Sequence, residues 1–427
     1  MKTKALRIYG PMDLRLEEFD LPPIADDEVL ARVVSDSLCA SSYKAAKQGG
    51  AHKRVPDDCA VNPTILGHEF CGEIVEVGAK YADKYRPGDR FIIQPAHNYK
   101  GSQAAPGYSY KYCGGDATYV IIPRETLIMD CLIPYSGESY FAGSMTEPYS
   151  CVIGTFHAMY HTKGGSYVHD MGIVEGGNMA MLAGNGPMGQ AAIDYVVHCG
   201  RRPGLLVVTG RRQEQLDHLA RLLTVEDAAA NGVKLVYFNT SCADPKAELM
   251  ALTDGKGYND VLVFAPAANM VELGDALLCK DGCLNFFSGP SDPTFSAPLN
   301  FYNVHYNATH LAATSGGNND DMKEAVEMMG QGRLNPSVLV THVGGLNAAA
   351  EATMHLPEIP GGKKVIYTGI DMPLTAVADF AKLGESDPFY ARLAELCAAN
   401  NGLWSVEAEK YVLAEKSVTE SGCGCPA

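Results

Sequence analysis

One stretch limits the folds open to this chain more than any other: NMAMLAGNGPMGQAAIDYVVHCG, residues 178–200. A short apolar run leads into Gly184, Gly186 and Gly189 in G-x-G-x-x-G spacing, and an apolar-periodic helical segment follows. The first glycine permits a tight turn, the second lets the backbone approach a pyrophosphate, and the third lets the helix pack close to its strand. Asn185, Pro187 and Met188 complete the turn, and the helix N-terminus turns its N–H groups toward the phosphates. Glycines at this spacing occur in many loops. Between a strand and a helix they point to a dinucleotide.

The neighbourhood agrees. NMAMLAGNG, LLVVTG, KLVYFN, DVLVFAP and CLNFFSG are apolar runs, with helical segments such as QEQLDHLARLL between the early ones. That alternation predicts an α/β unit with a parallel sheet covered on both faces. LLVVTG ends at Gly210, followed by Arg211 and Arg212. An acid at this point would bind the ribose 2′-hydroxyl of NAD, whereas two cations suit the 2′-phosphate of NADP. The competing reading is a solvated basic start to a surface helix.

Residues 1 to about 150 differ in texture. ALRIYG, EVLARVV, CGEIVEVG, RFIIQPA and ATYVIIP are short β-like runs punctuated by Gly and Pro, which suits a β-rich or barrel-like unit. In TILGHEFCGEIVEVG, His68 and Glu69 stand side by side within an apolar run. Burying two ionisable groups is costly unless something pairs with them. Cys39 lies upstream and Glu147 downstream. A thiolate, an imidazole and carboxylates suit a catalytic zinc, which keeps a coordination position open. Spacing cannot prove the pairing, and a core histidine beside a salt-bridged Glu remains the alternative.

Composition narrows the function. The 427 residues are 46% hydrophobic, enough for a large core in two or three domains. The net charge of −16 argues against nonspecific nucleic-acid and anionic-membrane partners. No apolar run is long enough to span a membrane, and we expect no signal peptide. The 13 cysteines are scattered, which favours a reduced, cytoplasmic setting; Cys423 and Cys425 are read as a frayed terminus.

G-H-E followed by F-x-G-E-x-V-x-V-G, the stretch PGDRF and the placement of the glycine motif resemble the zinc-dependent medium-chain dehydrogenase/reductase family over residues 1 to 370. Glu147-Pro148 is similar to the Glu-Pro of its polyol dehydrogenase branch. The resemblance implies a GroES-like β-rich catalytic domain at 1–152, a Rossmann doubly wound parallel-sheet cofactor domain at 153–310, a return to the catalytic domain at 311–370 and a mostly helical extension at 371–427. Carried over, Cys39, His68 and Glu69 match the zinc positions, Glu147 a fourth carboxylate and Ser41 the hydroxyl that relays the alcohol proton. The relay histidine of many relatives falls near Lys44, which with Ser41 and Glu69 is carried over as a catalytic candidate. Of the four cysteines usual in a structural zinc lobe, only Cys113 lies between Gln94 and Ala117, so one zinc is expected.

Longer strings, among them DSLCASSYKAAKQGGAHKRVPDD, DGCLNFFSGPSD and PGGKKVIYTG, resemble ketose-phosphate reductases of that branch. This implies reduction of L-sorbose 1-phosphate to D-glucitol 6-phosphate with NADPH. The alternatives are a dehydrogenase of an unphosphorylated polyol and a non-catalytic NADP-binding protein. His52, Lys53 and Arg54 form the basic cluster nearest Cys39 and are candidates for the substrate phosphate, with an ordinary exposed loop as the rival reading. His305 and His310 are read as core or interface residues rather than cleft-lining ones. Lys363 and Lys364 are expected to face solvent. A homo-oligomer is expected, with CLNFFSG as a pairing edge strand.

Overall fold

The computed structural model describes residues 1–164 and 166–417. Cys423 and Cys425 lie outside them. The chain divides into two units: residues 1–147 with 336–427, and residues 148–335.

The first unit is β-rich, as its runs of alternating apolar residues require. An eight-stranded sheet centres on Val29–Ser37, which pairs antiparallel with Phe70–Val77 on one side. On its other side lie Tyr119–Ile122 and, further along, Lys363–Tyr367. Ala5, Val29, Ala31, Val33, Phe70, Phe91, Val120 and Ile122 are buried in one core cluster. A smaller sheet joins Lys2–Gly10 to Asp13–Asp20 and Thr64–Ile65. The strand Asp13–Asp20 was not expected, because its residues are only half-buried and its charges mask the alternation. Cys113, the one cysteine of the presumed zinc-lobe region, is fully buried in the core cluster.

Residues beyond 371 form short helices, at Phe380–Leu383, Pro388–Ala398 and Val406–Lys416, within this unit. Trp404, fully buried, donates from Nε1 to the Tyr367 hydroxyl at 2.9 Å, which donates to Glu409 Oε1 at 3.0 Å. The Glu409 carboxylate also accepts the backbone N–H groups of Tyr140 and Phe141 at 2.8 and 2.7 Å. This caps the short helix Tyr140–Ser144, whose own N-cap makes no side-chain bond.

The second unit holds a six-stranded sheet whose strands run in parallel. Its order is Lys234–Asn239, Leu205–Gly210, Asn178–Leu182, Tyr258–Val263, Leu278–Phe286, His310–Ala312. Ala180, Leu182, Val207, Val261, Val263, Leu277 and Leu284 cluster in its core. This unit is a Rossmann arrangement and the first unit is GroES-like, the fold class the sequence predicts. Two expectations need correction. The chain returns to the first unit at Pro336 rather than 311, because His310–Ala312 is the sixth strand of the parallel sheet and the helix Asn319–Gly330 stays with that unit. CLNFFSG is no edge: its strand is flanked on both sides, and His310–Ala312 forms the edge instead. His310 Nε2 donates to Asp281 Oδ1 at 2.7 Å, while His305 is exposed at the end of the helix Phe301–Tyr306.

Candidate functional site: a thiol, an imidazole and a carboxylate

Three strand ends of the first unit build the site. Ser37 pairs with Val365 and Asp36 with Phe70, so the residues just past these pairs converge. Cys39 follows one strand, His68 and Glu69 precede the second, and Lys363 opens the third. Gly67, at φ 89°, makes the entry to His68. A Cβ there would meet Asp116 N and Asp36 Oδ2 at 2.5 Å, so glycine alone fits.

One ligand atom from each of Cys39, His68 and Glu69 lies within 4.8 Å of the others. His68 and Glu69 are 4% and 1% exposed. Burial, then the Glu69 carboxylate, pushes the Cys39 thiol up to about 12. Burial holds the His68 imidazole down at about 4, against the pull of Glu69. The imidazole is therefore neutral, as a metal ligand must be, and the thiol becomes a thiolate only when a cation compensates it. A half-buried sulfur donor beside nearly dry nitrogen and oxygen donors fits a zinc ion. Glu147 is buried and close enough to raise the Cys39 thiol, although it falls outside the tight group of three.

Lys363 and Lys364 do not face solvent; they are 5% and 3% exposed. Lys363 Nζ donates to both oxygens of Glu69, at 2.5 and 2.6 Å. Burial opposes its charge, but Glu69, and then Cys39, hold its pKa above the ordinary value. Lys364 donates to the carbonyls of Gly362 and Pro360. A two-lysine pair before a strand reads as a solvated flank; here the whole run Lys363–Tyr367 is buried. Ser37 also donates to Glu69 Oε2. Asp36 Oδ1 accepts the Glu69 backbone N–H at 3.0 Å.

Around His68, Ser42 Oγ lies 3.3 Å from Nδ1 and the Tyr108 hydroxyl 3.2 Å from Nε2. Ser41 Oγ is 3.4 Å from Cys39 Sγ. Ser41 and Lys44 sit three residues apart on the helix Ala40–Gln48, hence on neighbouring positions of one face. Tyr108 was missed from the sequence: its stretch, PGYSYKYCGG, reads as a turn-rich loop with aromatics. Its ring lies 4.8 Å from that of His68. On the same ring stack His52, at 5.7 Å and 14°, and the Arg54 guanidinium, at 5.4 Å. The basic cluster is thus one ring away from His68. Lys53, between them, is exposed.

In the second unit the glycine motif forms a strand–turn–helix from Asn178 to His198. A Cβ on Gly189 would meet Gly184 O at 1.9 Å, which accounts for the third glycine. Gly186, the N-cap, has no protein atom within 4 Å of its missing Cβ, and Pro187 is at the first helical position. That open space before an unblocked helix start suits a pyrophosphate. The left-handed residue of the turn is Ala183, at φ 55°, rather than Gly184. Asn185 packs within 3.0 Å of the Cβ position of Gly210 and donates to Gln215 at 2.6 Å. Arg211 and Arg212 are exposed and, among the described residues, in no ion pair.

Residues 25–133 match the alcohol dehydrogenase GroES-like domain. The chain is 48% identical to mannitol-1-phosphate 5-dehydrogenase of Aliivibrio fischeri over 96% of its length and 97% of the relative's. It is equally identical, with the same shares covered, to L-sorbose 1-phosphate reductase of Klebsiella pneumoniae. Among solved structures, 2R,3R-butanediol dehydrogenase from Bacillus subtilis superposes with a TM-score of 0.68 at 20% identity, covering 86% of this chain and 99% of that one.

Proposed function

This chain belongs to the zinc-dependent medium-chain dehydrogenase/reductase family, in its polyol dehydrogenase branch, and on that premise we propose its reaction: the reduction of L-sorbose 1-phosphate to D-glucitol 6-phosphate. The reductant is NADPH, and one zinc ion is held by Cys39, His68 and Glu69, with Glu147 as the additional carboxylate. The observation that carries this reading is the convergence of those three ligand atoms within 4.8 Å. It occurs in a chain matched almost end to end by a sugar-phosphate reductase.

When bound, zinc supplies Lewis acidity at the substrate carbonyl and NADPH supplies the hydride. The chain's own residues do the rest. Ser41 gives a proton to the substrate oxygen as the alcohol forms, and Lys44, on the same helix face, restores it. Lys363 pairs with Glu69 in a dry site and fixes its carboxylate plane by donating to both oxygens. Ser42 orients the His68 ring through Nδ1. Gly184, Asn185, Gly186, Pro187, Met188 and Gly189 cradle the pyrophosphate, Gly210 leaves room for the ribose, and Arg211 and Arg212 take the 2′-phosphate of NADP.

As an oxidoreductase the protein is not a mere NADP-binding module. A second reading, oxidation of mannitol 1-phosphate at C5, has equal support from identity. Hydride-transfer assays crossing NADPH and NADH with L-sorbose 1-phosphate, fructose 6-phosphate, sorbitol and free ketoses separate these readings and the unphosphorylated-polyol one. Cys39→Ser and His68→Ala should lower turnover ~10³-fold, since several kcal/mol of charge stabilisation is removed. Both should also lose zinc by metal analysis. Full activity in either variant overturns the site.

We also propose a homo-oligomer formed through the edge strand His310–Ala312. Phe301, Tyr302, Tyr306 and Leu311 beside it are 74%, 65%, 64% and 53% exposed. Free thiols at Cys39, Cys59, Cys71 and Cys113 suit the reduced cytoplasm.

A further inference from the structure

We propose that Arg54, carried on the ring of Tyr108, is the residue that binds the substrate phosphate, and that it selects a phosphate on the carbon next to the carbonyl. The inference rests on the sugar-phosphate reading above and goes beyond it, since that reading names no residue for the phosphate and its mannitol 1-phosphate alternative puts the ester at the other end of the sugar.

Arg54 is only half-buried, yet its Nε is buried and has no hydrogen-bond partner. A dry donor left unpaired is costly, so something outside the protein is its natural acceptor. Among the described residues no carboxylate pairs with Arg54 or with Lys53, although acids outnumber bases across the chain by 50 to 34. A cationic cluster without counter-charges in an acidic protein marks a place for an anion. His52 reports the same field: burial, then Arg54, Lys53 and Lys44, hold its pKa down at about 4. The flat guanidinium presents paired N–H groups that match two phosphate oxygens. Tyr108 fixes its position from below, and Ser109 Oγ, donating to the Arg54 carbonyl at 2.6 Å, fixes the backbone.

Position decides the substrate class. Tyr108 is 1% exposed and touches His68 through its hydroxyl at 3.2 Å. Arg54 therefore stands one ring from a residue that would hold the metal. In L-sorbose 1-phosphate the ester carbon is bonded directly to the carbonyl carbon. In fructose 6-phosphate the phosphate is at the opposite end of the chain. Only the first brings its phosphate beside His68 when the carbonyl is in place.

The test compares kcat/KM for L-sorbose 1-phosphate, fructose 6-phosphate and L-sorbose in the zinc-loaded enzyme with NADPH. Arg54→Gln should lower the ratio of L-sorbose 1-phosphate over L-sorbose on the order of 10- to 100-fold, the range for a lost charge-assisted bond. It should also weaken competitive inhibition by inorganic phosphate by a similar factor. Arg54→Lys, which keeps the charge but not the fork, should lose less, and it decides the matter if Arg54→Gln does not melt cooperatively. An unchanged ratio in a folded Arg54 variant overturns the assignment. Failure of the wild-type enzyme to prefer either phosphate ester over L-sorbose overturns the sugar-phosphate reading instead.

Discussion

The cofactor turn and the metal pocket are assembled in opposite ways. The turn is local: strand, glycines and helix are contiguous from Asn178 to His198, and its defining contact, Gly189 against Gly184, spans five positions. The pocket is assembled from distant pieces. Lys363 and the Glu69 it neutralises are 294 positions apart, and Tyr108 comes from a third segment. A local site survives wherever its strand and helix survive. A distributed site survives only while the whole sheet holds its register, because one slipped strand removes a ligand or a counter-charge.

The sharpest way to break this contrast is Lys363→Met. It leaves the Glu69 carboxyl, 1% exposed, without its ammonium partner, and breaking a buried pair from one side costs about 3–5 kcal/mol. Urea unfolding should show that loss, with zinc content reduced and NADPH affinity retained. Unaltered stability would mean that Glu69 does not depend on Lys363. Gly189→Ala is the mirror experiment. Its Cβ collides with a backbone oxygen, a repacking cost of about 1–3 kcal/mol. NADPH titration should show weakened binding while bound zinc stays at the wild-type level; parallel loss of both would show that the two sites are not separable.

The smallest effect concerns pH. Burial raises the Glu409 carboxyl to about 7, against the hydrogen bonds from Phe141 and Tyr140. Unfolded, it titrates near 4.3. The folded state holds this proton longer, so its contribution is fully present below about 4.3 and is lost as pH rises through 7. Glu409→Gln should flatten the fall in stability between those values, measured by urea unfolding at pH 5 and pH 8. An unchanged slope would mean that Glu409 is ionised throughout.

The same contrast explains what could be read from the sequence. Periodicity and glycine spacing act over a few residues, so the parallel sheet and its phosphate turn were legible without a structure. Cys39, His68 and Glu69 were candidates for one site because a buried charge asks for a partner, and the structure brings their ligand atoms within 4.8 Å of one another. Lys363 was not, since charge on a five-residue strand carries no sign of the acid opposite it. Tyr108 hid in a loop because nothing local distinguishes a platform from a surface ring. Glu409 looked like one acid among many on a terminal helix. Its role appears only when it caps Tyr140–Ser144 from 268 positions away.

The first unit's chain is interrupted by the second and resumes at Pro336. During synthesis the nucleotide-binding half is therefore complete, and can fold, while the ribosome still holds the strand that begins at Lys363. Until that strand emerges, Cys39 and His68 belong to an open-edged sheet with a buried acid and nothing to neutralise it. A premature stop anywhere between 336 and 362 would leave a folded nucleotide binder tied to a metal half that cannot close.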